Sequence, residues 1–128
     1  MTWTTSALDL LVGIDVVEVS STRADGAPSP WRPIWIVVVG DDVFVRSTDG
    51  PEKAWFRNAR LRRIGRIRAA GRVHPVHFAD ADDQLAAQIT DAYRHKYRSR
   101  PARNLNRAAS SGSTLQLKPE DQDLCQGP

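Results

Sequence analysis

The sequence predicts a mainly β domain with flanking helices, arranged as an antiparallel barrel, and three observations point there. Strand-like stretches outnumber helix-like ones, the hairpins between them are short, and the helical stretches fall at the margins of the strand-rich middle. Val17 and Val19 alternate with Glu18 and Ser20, so Ile14 to Ser21 reads as a half-buried strand. Before it, Thr4 to Leu11 reads as a short helix, with Thr5 or Ser6 as N-cap. After it, Gly26, Pro28 and Pro30 break any regular ladder. Ile34 to Val39 is an apolar run too short for a helix and reads as a central strand. Gly40-Asp41-Asp42 turns it back into Val43–Ser47.

Pro51 suits a first helical turn, and a helix through Trp55, Phe56 and Ala59 to about Arg62 follows, with Gly65 as its stop. Ile67–Ala69 and Val73–Phe78 form a second hairpin turning near Gly71. Pro75 cannot donate to a ladder, which predicts an edge strand or a bulge there. Asp80 is the expected N-cap of a last helix, which Asp82 and Asp83 complement electrostatically. Ala86, Ile89, Tyr93 and Tyr97 make its packed stripe. Thr114 to Leu117 is a short final strand, although residues from 113 onward look too polar for core. Residues 1–118 read as one domain and 119–128 as a flexible tail.

Composition narrows the function classes. A core of this size is thin, since small domains bury only roughly two-thirds of their unfolded surface, and a homodimer would cover more. No stretch approaches the ~20 apolar residues of a membrane helix. The N-terminus lacks a secretory signal pattern, and Cys125 is the sole cysteine, so no internal disulfide forms. These absences predict a cytoplasmic protein. His74 and His77 point to opposite faces of a strand and His95 has no partner at i±4, which gives a metal site no support. Residues 53–79 hold seven arginines and no acid, a basic belt that nucleic acid could exploit. No nucleic-acid-binding motif accompanies it, and a solvated surface or a rim for an anionic cofactor suits it better.

The densest chemistry lies at the end of the first hairpin. A strand ending in Arg46, Ser47 and Thr48 turns through Asp49-Gly50-Pro51 into a helix that starts near Lys53, Trp55, Arg57 and Asn58. Backbone N–H groups, hydroxyls and the helix dipole gathered at one spot suit a phosphate. Arg46, Lys53 and Arg57 would add charge-assisted bonds. Alternation sends Arg46 and Ser47 to opposite strand faces, so both reach one phosphate only if the strand end twists. The competing reading is a capped turn with a solvated basic helix. Trp31, Trp35 and Trp55 could stack on a planar ring; packing in a core or interface is the alternative, favoured for Trp35 and evenly balanced for Trp55.

These residues resemble a family. Trp3-Thr-Thr5, Pro33 through Ser47, Gly50-Pro51, Trp55-Phe-Arg57, Gly65 through Gly71, Ala92 through Tyr97 and Thr114 through Leu117 resemble, in order and spacing, the bacterial family known as domain of unknown function 2255. That family in turn is similar to the pyridoxamine-phosphate-oxidase-like split barrels and the deazaflavin-dependent nitroreductases. The resemblance implies an antiparallel split β-barrel and a homodimer with FMN or a deazaflavin at the subunit interface. By position, Ser47 and Thr48 would hold phosphate, Trp55 would face the ring, and Arg32 would supply a basic group before the second strand. Phe56 stands where the nitroreductases commonly have tyrosine, and Asp49 places a negative charge near the supposed phosphate. The implied activity is a flavin- or deazaflavin-dependent oxidation or reduction of a small organic substrate. The alternative is a cofactor- or ligand-binding barrel without turnover.

Overall fold

The computed structural model describes residues 3–46, 54–98 and 114–119. Helix α1 (Thr5–Gly13) precedes β1 (Val17–Ser21), β2 (Arg32–Ile34), β3 (Ile36–Val39) and β4 (Asp42–Arg46). Helix α2 (Ala54–Arg62), β5 (Ile64–Ala69) and β6 (Arg72–Asp80) follow, then a single 3-10 turn (Asp83–Leu85), α3 (Ala86–Lys96) and β7 (Thr114–Pro119). The seven strands form one antiparallel sheet in the order β2-β1-β5-β6-β7-β4-β3.

Chain connectivity forces this sheet to curl. β2 and β3 are its two edges, yet only Trp35 separates them in the sequence. Successive Cα atoms lie 3.8 Å apart, so the edges come within about 7 Å of each other where the chain passes between them. The result is a nearly closed barrel, the architecture expected from the sequence. The run from Ile34 to Val39 is therefore not one central strand. It divides at Trp35 and crosses from edge to edge. It is apolar because both faces of β3 are covered: Ile36 lies in the barrel core and Val37 packs under α3 with Phe44, Ile89, Tyr93 and Tyr97.

Alternation explains the main core. Val17 and Val19 of β1, Ile67 and Ala69 of β5, Val76 and Phe78 of β6, Leu115 and Leu117 of β7, and Val43 and Val45 of β4 all point inward. The polarity of the C-terminal stretch thus hides two core leucines. β7 is a central strand between β6 and β4 rather than a margin. Trp3 adds a long-range tie, its indole N–H donating to the Leu117 carbonyl at 2.9 Å.

Pro75 also sits in the middle of the sheet, in an unbroken register opposite Arg66. The Phe78 N–H donates toward β5, to the Arg63 carbonyl at 2.8 Å. N–H groups alternate in direction along a strand, so the Pro75 nitrogen faces the β7 side. There, among the described residues, pairing begins at Val76. Its missing donor is not needed, which removes the reason to expect an edge or a bulge.

Helix ends differ from the sequence expectation in three places. α2 stops because Arg63 adopts φ 67°, while Gly65 lies inside β5. Asp82 caps the 3-10 turn, accepting from Gln84 N–H at 2.9 Å, whereas Asp80 ends β6 and pairs with Arg63 at 3.0 Å. Thr4, one residue from the expected cap, accepts from Ala7 N–H at the start of α1.

The last turn of α3 locks three elements together. Tyr97 stacks on Trp35 with ring centroids 4.2 Å apart, and its hydroxyl accepts from Ile36 N–H at 2.9 Å. That hydroxyl's single proton lies between the carbonyls of Asp15 and Ile36. The Lys96 ammonium donates to Leu11 and Ile36 carbonyls at 2.8 and 2.7 Å. Burial pushes the Lys96 pKa down from 10.5 to about 8, with Asp15 opposing the shift. Between those two values the unfolded chain holds the proton more tightly than the folded one, so stability is expected to rise with pH across that window. The neutral amine still has enough N–H groups for both carbonyls. Denaturant midpoints measured from pH 7.5 to 10.5 should show the rise, and Lys96→Met should remove it.

Candidate functional site

β4 delivers Arg46 to the α3 side of the sheet, in step with Phe44 and opposite to Val45. The guanidinium is buried. Its Nε donates to Thr114 Oγ1 and one terminal nitrogen to Thr90 Oγ1, both at 2.8 Å. The other reaches the Ala86 carbonyl at 3.2 Å, and the group lies over the Tyr93 ring at 5.6 Å. Burial lowers the Arg46 pKa, and buried Tyr93 has its own pushed up by desolvation. Arg46 therefore fastens α3 and β7 to β4. At least three of its N–H groups are committed to these bonds.

Trp55, in the first turn of α2, is 7 % exposed and packs in the main core, edge-on to Phe56. The backbone beneath it is anchored as well, because the Ser21 hydroxyl donates to the Trp55 carbonyl at 2.8 Å. Facing a bound ring would require the indole to leave that core. Arg57 projects into solvent and Asn58 is half-buried beside it. Arg32 is exposed on β2, opposite Val19. The structure thus brings the start of α2 and Arg32 to the same strand, β1, at Ser21 and Val19. Ser47, Thr48 and Lys53 lie outside the described residues.

The arginine belt is dispersed by the fold. Arg57, Arg60 and Arg62 are exposed on α2, Arg63 is paired with Asp80, and Arg72 is exposed at the start of β6. Arg66 and Arg68 both lie on the indole of Trp31, at 4.8 and 4.4 Å from its ring. Arg68 is neutralised by Glu18 at 2.7 Å. Among the described residues no three His, Cys, Asp or Glu side chains gather in a way that could hold a metal. No helix among them is long and apolar enough to cross a membrane.

Beside this stack lies an open groove of about 440 Å³, lined by Ser20, Ser21, Thr22, Gly26, Pro28, Ile64, Gly65, Arg66, Pro75 and Val76. Serine hydroxyls tie its floor together. Ser20 donates to the Ser29 carbonyl at 2.6 Å, and Ser29 Oγ accepts from Ser21 N–H at 2.9 Å. Gly65 lets β1 and β5 close up, since a Cβ there would stand 2.5 Å from the Ser20 carbonyl oxygen. Sequence reasoning noticed Trp31 and Arg66 separately. Nothing local indicated that the strand pairing of Ser20 with Arg66 would put them side by side.

Comparison with known proteins places this geometry in context. A family model described as an uncharacterized protein conserved in bacteria (DUF2255) matches residues 7–117. A putative pyridoxamine 5'-phosphate oxidase from Listeria innocua shares 14 % identity, with a TM-score of 0.63 over 91 % of this chain and 92 % of that one. An FAD-binding protein from Mesorhizobium loti shares 12 %, with a TM-score of 0.61 over 94 % and 91 %. An F420-H2 dependent reductase shares 12 %, with a TM-score of 0.59 over 80 % and 91 %. At these identities the likeness concerns the split-barrel fold. A search of curated protein sequences finds no match.

Proposed function

This chain belongs to the bacterial DUF2255 family, and from that premise we propose that it binds a flavin-type cofactor, FMN or a deazaflavin, and uses it on a small organic substrate. The observation that carries the reading is the barrel itself. It matches proteins described as FAD-binding, F420-H2 dependent and pyridoxamine-phosphate-oxidase-like along most of their length. Fold alone does not assign a reaction, so the residues must be tested against the group.

The described part of the β4–α2 corner fits an anionic group at its outer side. The first turn of α2 carries no acid, Arg57 and Asn58 are accessible, and Arg32 is exposed on the neighbouring strand. Arg57 and Arg32 would hold the phosphate together with Ser47, Thr48 and Lys53, while Asn58 would offer its amide. Trp55 and Arg46 would act from behind, Trp55 by fixing the first turn of α2 in the core and Arg46 by setting the end of β4. A bound flavin or deazaflavin supplies hydride transfer, and the chain's part is to position it and balance its charge. A homodimer is part of the proposal, because Leu61 on α2 and Val73 on β6 stand 76 % and 47 % exposed. The proposed setting is the cytoplasm.

The test is a titration of the purified chain with FMN and, separately, with F420, followed by absorbance after desalting. Retained cofactor is expected, and Lys53→Ala with Arg57→Ala should weaken binding at least tenfold, in line with the loss of charge-assisted bonds. Failure to retain either cofactor would remove the reading. Retention with no reduction of candidate acceptors would instead indicate a binding barrel without turnover.

A further inference from the structure

The groove along β1, β5 and β6 adjoins the corner just described at Ser21, and its charges are unusual. Of the arginines held in place around it, Arg68 is matched by Glu18 and Arg63 by Asp80. Arg66 is held by Trp31 at 4.8 Å and by a long bond to Ser20 Oγ at 3.4 Å, and it has no acidic partner among the described residues. A guanidinium is delocalised and more weakly hydrated than an ammonium, and one pre-positioned against an indole at the mouth of a groove has lost part of its freedom before any ligand arrives.

The rest of the groove supplies the remaining elements of a site. Ile64 (46 % exposed), Pro28 and Pro75 offer apolar walls. The Thr22 hydroxyl lines the same space and bonds to no other described residue, so it can donate to a ligand oxygen. Arg66, Arg68 and Glu18 together leave one net positive charge, which matches a monoanion better than a doubly charged phosphate. The volume of about 440 Å³ lies within the range of small-molecule sites.

We propose that this groove binds an organic monocarboxylate with a flat apolar body. Arg66 takes the carboxylate, Thr22 adds a hydrogen bond, and Ile64, Pro28 and Pro75 cover the body. Arg66 presents its fork already oriented by Trp31, so bidentate contact costs little further ordering. The site does not depend on the cofactor reading. Should the flavin titration fail while the carboxylate still binds, this inference stands and that reading does not.

Calorimetry with naphthalene-2-carboxylate, its neutral counterpart naphthalene-2-methanol, and inorganic phosphate tests it on the full chain. The carboxylate should bind at least tenfold more tightly than the alcohol, and phosphate should not compete. Arg66→Gln should weaken the carboxylate by about tenfold or more and change the alcohol less than about twofold. Arg94→Gln, an exposed change on α3, should alter neither. Equal affinity for carboxylate and alcohol in the unmodified chain, or wild-type affinity in folded Arg66→Gln, would overturn the proposal. If Arg66→Gln does not fold, amide shifts of the unmodified chain decide. Carboxylate-induced changes must centre on Ser20–Thr22 and Ile64–Arg66, and a centre elsewhere overturns it.

Discussion

Replacing Tyr97 by alanine is expected to lower the unfolding free energy by about 3–5 kcal/mol, the range for deleting a buried aromatic ring. Tyr97 is 1 % exposed, stacks on Trp35 and touches Tyr93, and so occupies the space between α3 and the crossing from β2 to β3. Its hydroxyl has a second task. Ile36 is fully buried, and its N–H uses Tyr97 as acceptor at the point where the chain leaves one sheet edge for the other. Tyr97→Phe keeps the ring and leaves that donor without its acceptor, at an expected cost of about 1–3 kcal/mol. Urea titrations of both variants separate the two parts. A phenylalanine variant as stable as the parent would show that the hydroxyl is not needed to hold the crossing.

Gly65→Ala is the second change with a large expected effect, about 1–3 kcal/mol from overpacking. The added Cβ would lie 2.5 Å from the Ser20 carbonyl oxygen and 2.7 Å from Phe78 Cε2. The first of these belongs to the backbone of a paired strand, and the second to a ring with no exposed surface. Neither can give way without opening the β1–β5 pairing. Gly13→Ala is the matched control, because a Cβ there meets nothing within 4 Å, and it should raise stability by about 0.4–1 kcal/mol by restricting the unfolded chain. A Gly65→Ala midpoint equal to that of the control would mean that the two strands are not so closely apposed.

Much of the fold was legible because local patterns and tertiary packing agree. The two hairpins turn at residues with a positive φ, Gly40 in the first and Ala70-Gly71 in the second, and each pairs its strands residue for residue next to the turn. The stripe of Ile89, Tyr93 and Tyr97 packs on β3 and β4 because helical spacing leaves it no other face. Errors arose where strand order decides the outcome. Pro75 suggested an edge, yet it is central, since what matters is whether β7 extends far enough to need its nitrogen. The polar C-terminal stretch concealed Leu115 and Leu117, whose side chains alternate with Gln116 and Lys118.

The candidate site was harder to read for a related reason. A basic strand end followed by hydroxyls resembles a phosphate cradle in any sequence, but Arg46 finds acceptors on Thr90 and Thr114, far along the chain. Trp55 at a helix start beside charge can face a ligand or a core, and only the docking of α2 against β1 chooses the core. The sequence by itself determined the element types, the antiparallel barrel and the family, because alternation, helical spacing and turn residues act over a few positions. The tertiary structure alone decided which arginines are spent on the protein, as Arg46, Arg63 and Arg68 are, and which are left exposed, as Arg32, Arg57 and Arg72 are. A guanidinium's partners are set by strand register and helix docking, and those join residues that the chain keeps dozens of positions apart.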